Sequence, residues 1–182
     1  LYDSPTDKVP YDVSSDGKFL LYADSHPKTL RDLWVLPLEG ERKPILISGL
    51  EFAEMNGQFS PDGKWIAYSS NETGRHEVYA LSFPNKSGKV QISTQGGAQP
   101  RWARSGKEII YSDLNGTLVA VDVVTEQEAL KVGSSKNLFK TNIGAWSARH
   151  LYDATFDGLR LVTMRLAEQN RSGEPLNLVQ NW

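Results

Sequence analysis

Phe59-Ser60-Pro61-Asp62-Gly63-Lys64-Trp65-Ile66-Ala67-Tyr68 is the stretch from which the rest of the chain can be read, because variants of it recur. Ser-Ser-Asp-Gly-Lys stands at 14–18, Ala-Arg-Ser-Gly-Lys at 103–107 and Thr-Phe-Asp-Gly-Leu at 155–159. The shared glycines Gly17, Gly63, Gly106 and Gly158 follow one another at 46, 43 and 52 residues. A period of that size marks a repeat architecture. In Ser60-Pro61-Asp62-Gly63, proline supplies the φ of about −65° that a type I turn needs, and glycine the positive φ that follows. Such a turn joins two antiparallel strands with a one-residue bulge, and Asp62 can accept nearby backbone N–H groups. The third copy keeps Gly106 but has neither Pro nor Asp, so its turn is expected to be looser. The turn aspartates read as turn formers rather than as metal ligands or catalytic carboxylates.

Outward from that stretch the chain is a series of short apolar and aromatic runs separated by turn residues, which are strand signals. Phe19-Leu20-Leu21-Tyr22, Leu33-Trp34-Val35-Leu36 and Ile45-Leu46-Ile47 follow Gly17. Trp65 to Tyr68, Val78 to Leu81 and Val90 to Ile92 follow Gly63 in the same order. Ile109 to Tyr111, an Asn115-Gly116 turn, Leu118 to Val121 and Leu138-Phe139 follow Gly106. Asn-Gly is the strongest two-residue hairpin signal. Only 126–132 could pass for a helical turn. Each full repeat therefore holds four strands, A to D, with the repeats at about 8–50, 51–94, 95–141 and 142–182, the last of which supplies strands A, B and C only. Residues 1–7 read as the end of a preceding outer strand. Four-stranded units of this length fit the blades of an all-β propeller, here a segment of about four antiparallel blades, as a partial ring or a small closed one.

Composition narrows the classes of function. Over 182 residues, 39% hydrophobic and 23% charged, the chain is long enough to bury a core and reads as globular. Lys+Arg 20 against Asp+Glu 22 leaves −2 with no basic block, so nucleic acid is not an expected partner. No run approaches the roughly 18 apolar residues of a membrane helix, so no membrane span is expected. There is no cysteine, which removes disulfides, Cys-based zinc sites and thiol nucleophiles. The start at Leu1, without Met or a signal segment, reads as a processed chain or a piece of a longer one.

The run Phe59 to Lys64, with Ile66-Ala67-Tyr68 and then Glu77-Val78-Tyr79, resembles the blades of the TolB-like, WD-repeat-like β-propeller family. The ending Val179-Gln180-Asn181-Trp182, after Tyr152-Asp153 and Asp157-Gly158, is similar to the tails of such propellers. The resemblance implies a protein or peptide partner, a bacterial source and a periplasmic or extracellular location. It also implies rings of six or more blades, so a four-blade segment would be completed by missing blades or by a second copy of the chain. An open arc exposes a strand edge and apolar blade faces.

A search for chemistry returns little that is catalytic. No Gly-x-Ser-x-Gly elbow is present, and the Ser147/His150 pair has no strained turn around it. His26, His76 and His150 are scattered over the repeats without metal-ligand spacing. Gly96-Gly97 is a turn rather than a phosphate loop, and the sequons at Asn71, Asn85, Asn115 and Asn170 fall in turns that favour Asn anyway. No cofactor and no metal are expected. One constellation remains. Five positions before the turn glycines stand Asp12, Gln58, Arg101 and Asp153, all polar, at the start of the innermost strand. They would ring the mouth of the channel and bind a charged ligand, or pair with one another as structural ions do. The next residues, Val13, Phe59, Trp102 and Ala154, should pack between blades. The D-to-A connections add Glu54, Asn56, Trp146 and Arg149 on the same face, residue types that interfaces use. The chain thus reads as a non-catalytic binding module whose loop face recognises a protein, a peptide or a small ligand. The alternative is a fragment of a propeller enzyme, either the gating domain of a prolyl-oligopeptidase-like hydrolase or a metal-dependent lyase or lactonase.

Overall fold

The computed structural model describes residues 6–28, 30–48, 51–126, 129–141, 147, 149–154, 160–163 and 177–180. Leu1-Tyr2, Trp146, Gly158, Asn170 and Trp182 lie outside the described residues.

All regular structure among the described residues is strand. The first sheet pairs β1 (Lys8–Val13), β2 (Phe19–His26), β3 (Leu30–Pro37) and β4 (Ile45–Ser48) in chain order. The second pairs β5 (Glu54–Phe59), β6 (Trp65–Ser70), β7 (Glu77–Ser82) and β8 (Lys89–Gln91) in the same way. The third contains β9 (Ala98–Trp102), β10 (Glu108–Ser112), β11 (Thr117–Glu126) and β12 (Ala129–Lys140). The fourth contains β13 (Tyr152–Ala154), β14 (Arg160–Thr163) and β15 (Asn177–Gln180). Among the described residues every pairing is antiparallel and no sheet closes on another. These are four blades of a β-propeller, three of them four-stranded, forming a partial ring.

The core lies between the sheets, not within one. Leu21, Leu33, Val35 and Ile47 of blade 1 meet Phe59, Ile66, Tyr68, Tyr79 and Leu81 of blade 2. The other face of blade 2, with Trp65, Ala67, Val78 and Ala80, meets Trp102, Ile109, Tyr111, Val119 and Val121 of blade 3. Ile110, Leu118 and Ala120 then meet Tyr152 and Leu161 of blade 4. A blade covered on both faces has no polar side to show. That is why β6 and β7 are buried at every position, as a strand buried on both faces must be. Phe59 and Trp102 pack toward the preceding blade, as their place in the repeat requires. Val13 occupies the equivalent place in blade 1 and is 49% exposed, because no described blade stands before it. Close approach is also built in at Gly57, where an added Cβ would sit 2.7 Å from Leu21 Cδ2.

The recurring turn has the expected form. Gly63 has φ +70°, and its N–H donates to Ser60 O at 2.9 Å. Asp62 Oδ1 accepts from Ser60 Oγ at 2.5 Å and from Lys64 N at 3.1 Å, while Trp65 N donates to Ser60 Oγ at 2.9 Å. Ser14, Asp16 and Phe19 repeat that set around Gly17. The third turn is not looser, however. Gly106 has φ +68° and donates to Ala103 O at the same 2.9 Å. Its backbone bonds suffice without the serine–aspartate pair.

Two further readings change. The described residues of 126–132 are paired strand rather than a helical turn, with Thr125 opposite Leu130 and Glu126 opposite Ala129. Alternating apolar residues Val123, Leu130 and Val132 reward extended pairing more than a single helical turn would. At Asn115-Gly116 only Gly116 has positive φ, +81°, and Asp113 Oδ1 accepts from Asn115 N at 2.8 Å and Thr117 N at 2.7 Å. The turn is therefore a type I turn with a glycine bulge, held by Asp113, rather than a two-residue hairpin.

Candidate functional site

The four ring positions are brought together on the inner strands, and their side chains reach from blade to blade. Asp12 Oδ2 accepts from Phe59 N at 3.0 Å, and its Oδ1 from Val13 N at 2.9 Å. Gln58 Oε1 accepts from Trp102 N at 2.6 Å. Arg101 Nε donates to Tyr152 O at 3.3 Å and stands 3.7 Å from Asp153 Oδ1. Asp12, Gln58 and Arg101 thus each bond the inner strand of the following blade beside their own counterpart, and Asp153 faces back to Arg101. The repeat that aligns these residues in sequence also aligns their bonds. Burial pushes the Asp12 carboxyl up, and the two backbone N–H groups oppose that shift. Removing the Gln58 amide would leave Trp102 N–H without an acceptor inside the interface. Gln58→Ala is expected to lower stability by about 1–3 kcal/mol in urea denaturation, the penalty for a buried unsatisfied donor.

One step closer to the D-to-A connections lie Asn56 and Gln99, both fully buried and both at φ +57°. They are 43 residues apart, the spacing of Gly63 and Gly106. A left-handed backbone at a side-chain-bearing residue is strained, and each stands at a bulge in its inner strand. Asn56 Nδ2 donates to Ser147 O at 3.0 Å, and Gln99 Oε1 accepts from Leu151 N at 2.8 Å. Tyr152 Oη lies 2.7 Å from Gln99 O and 2.9 Å from Ile110 O, which share its single O–H. The segment entering blade 4 is thereby tied to the inner strands of blades 2 and 3. No sequence signal beyond the shared spacing marks Gln99 for this role.

Glu54 and Asn56 therefore belong to β5, not to a connection, because the bulge between Met55 and Gln58 lets the strand continue upstream. Glu54 is 1% exposed, and its Oε1 accepts from Ser70 Oγ at 3.4 Å. Burial, then the nearby Asp32 carboxylate, pushes its pKa up to about 7. Arg149 is exposed beside Ser147, whose Oγ accepts from its N–H at 3.1 Å. Asp153 is 68% exposed. His150 packs edge to face on Tyr11, with ring centroids 5.9 Å apart. Burial, then the Arg101 guanidinium, holds the His150 pKa down at about 3, so the imidazole is neutral at pH 7. That contact joins β1 to the segment entering blade 4, and no pattern in the sequence brings the two rings together. Among the described residues no His, Asp and Glu groups are arranged to hold a metal ion, and no helix is long and apolar enough to cross a membrane.

No family model matches the chain, and no curated protein matches it. Solved structures do. TolB from Acinetobacter baumannii superposes with a TM-score of 0.66 at 20% identity, over 98% of this chain and 41% of that one. An oligogalacturonate lyase in complex with manganese superposes at 0.59 with 14% identity, over 85% of this chain and 44% of its own. The periplasmic gluconolactonase of Pseudomonas aeruginosa superposes at 0.53 with 14% identity, over 84% and 48%. The chain spans less than half the length of each of these propellers. At such identities the likeness is one of fold, that of a β-propeller.

Proposed function

We propose that the chain is a non-catalytic binding module, a TolB-like propeller segment whose D-to-A face recognises a protein or peptide. One observation carries the reading. The side chains at that end join blades 2, 3 and 4 into a rigid platform through Asn56, Gln99 and Tyr152, while Arg101, Arg149 and Asp153 keep polar surface above it. A fixed scaffold that presents arginine and carboxylate groups suits recognition. The lyase and lactonase likenesses concern fold, and fold alone does not assign chemistry. A periplasmic location and completion of the ring by further blades or a second copy belong to the same proposal.

The test is capture of partners from a bacterial envelope fraction by the chain and by its Trp146→Ala/Arg149→Ala variant. Recovery is expected to fall about tenfold or more if hot-spot residues are removed. Undiminished recovery by a folded variant would take this face out of consideration.

A further inference from the structure

Blade 2 ends in a short outer strand, Lys89–Gln91, whereas the outer strand of blade 3 runs from Ala129 to Lys140. The unequal lengths leave a cleft of about 600 Å³ between the two blades. Small-ligand sites span about 300–1,000 Å³, so the cleft is large enough to hold one. Ser135 and Asn137 of β12 stand opposite Val121 and Val119 of β11, and so share the face that those valines turn to blade 2. The connection after β8 brings Gln95 to the same cleft, and the turn after β10 brings Asn115. Leu114 lies over Gly96, where an added Cβ would come within 2.4 Å of Leu114 Cγ, and there the two loops meet.

Both loops are fixed from within. Glu77, 1% exposed, accepts from Gly96 N at 2.9 Å, from Ser93 Oγ and from Arg75 Nε, while Gly97 N donates to His76 O at 2.9 Å. Asp113 Oδ1 accepts from Asn115 N and Thr117 N. These carboxylates hold the loops that carry Gln95 and Asn115, and a wall held in advance costs a ligand less to meet. Asp113 is the single charged residue of the lining, in a chain that is 23% charged. The side chains of Gln95, Asn115, Ser135 and Asn137 are exposed and make no hydrogen bond among the described residues. Tyr111, 9% exposed, lines the cleft as well. Its hydroxyl has no hydrogen-bond partner among the described residues and is not one of the atoms sealed from water.

Such a lining selects by hydrogen-bond pattern rather than by charge. An amide sets a C=O acceptor beside an NH2 donor, and a hydroxyl does both at one oxygen. Neighbouring hydroxyls on a sugar ring alternate donor and acceptor in the same way, and the C–H faces of the ring suit Val119 and Val121. An anion would find no guanidinium or ammonium in the lining, and a cation only Asp113. The walls are sheet faces and turns, so an extended peptide has no free strand edge there to pair with. We propose that the cleft between blades 2 and 3 binds an uncharged saccharide, with Gln95, Asn115, Ser135 and Asn137 holding its hydroxyls and Tyr111 adding one more bond. The site goes beyond the protein- or peptide-binding reading and uses none of the residues on which that reading stands.

The test is a titration of the isotopically labelled chain followed by two-dimensional NMR of its backbone amides. Cellotriose, maltotriose and triacetylchitotriose are the neutral probes, with trigalacturonate as an acid and N-acetyl-tetra-alanine amide as a peptide. At least one neutral trisaccharide is expected to bind with a Kd at or below about 1 mM and to shift the amides of Gly96 and Gly133, both in the lining. Gln95→Ala and Asn137→Ala change exposed side chains, so they should leave the melting transition in place. Each should weaken that sugar about two- to tenfold, the worth of a neutral hydrogen bond. Tyr111→Phe removes a single hydroxyl and should weaken it by a similar factor. No neutral sugar bound at millimolar concentration, shifts that fall outside the cleft, or affinity indifferent to all three variants overturns the proposal. Preference for trigalacturonate or for the peptide overturns it too, in favour of an acid or a peptide site. The Trp146→Ala/Arg149→Ala variant should bind the sugar as the wild type does, so the saccharide cleft and the protein-binding surface stand or fall separately.

Discussion

Trp65→Ala is expected to lower the stability of the chain by about 3–5 kcal/mol, the usual loss when a buried aromatic is cut to alanine. Trp65 is 2% exposed and sits in the core between blades 2 and 3. Neighbours from both sheets would be left facing a cavity, and rigid strands can collapse into it only in part. Set against a typical total of about 5–15 kcal/mol, that loss removes a large share of what keeps two blades together. Trp34 provides the contrast. It lies on β3 opposite Tyr22, on the face of blade 1 turned away from blade 2, and is only partly buried. Trp34→Ala is expected to cost about 1–2 kcal/mol, in line with its smaller apolar burial. Urea denaturation followed by circular dichroism measures both. Equal losses for the two variants would mean that the sheets do not stack by their faces, and the whole account of inter-blade packing would fail with them.

Much of this was legible in the repeat. The spacing of Gly17, Gly63 and Gly106 located the A-to-B turns, and stepping back from them found Asp12, Gln58 and Arg101 at one structural level. Their bonding direction was not legible, because it depends on the blade beside them and not on their own strand. Gln99 shows the limit most clearly. Nothing about a glutamine before a proline announces a fully buried residue at φ +57°. Only the matching offset from Gly106 places it with Asn56. Glu54 and Asn56 looked like loop residues because a bulge carries no compositional mark, and polar residues ahead of a strand ordinarily mean a connection. The meeting of Tyr11 with His150 joins positions about as far apart as the arc allows, and it required the curvature of the stack, which no local pattern encodes.

Between about pH 4.5 and 6.5 the stability of the wild-type chain should be nearly flat, because two buried groups pull it in opposite directions. Glu54 is raised from 4.5 to about 7, mainly by burial. The unfolded chain gives up that proton first, so this contribution is fully present below about 4.5 and is lost as pH rises through about 7. His150 is lowered from 6.5 to about 3, again mainly by burial. The unfolded chain takes up a proton that the folded one refuses, so its contribution is present above 6.5 and is lost as pH falls toward about 3. Where the two windows overlap, each has a slope of about 1.4 kcal/mol per pH unit and the signs oppose. Asp12, raised by burial, adds to the first trend; His76, lowered by burial, adds to the second. Single variants should therefore uncover what the wild type conceals. Glu54→Gln leaves the histidine term, and stability should climb by about 3 kcal/mol from pH 4.5 to 6.5. His150→Gln leaves the glutamate term, and stability should fall by a similar amount over the same range. Urea midpoints at pH 4.5, 5.5 and 6.5 for the three proteins give the slopes directly. Opposite tilts in the two variants would establish that both groups are held neutral inside the fold, Glu54 in the blade interface and His150 against Tyr11. Parallel, flat profiles in all three would show that neither group is perturbed, and the neutral imidazole beside Tyr11 would have to be abandoned.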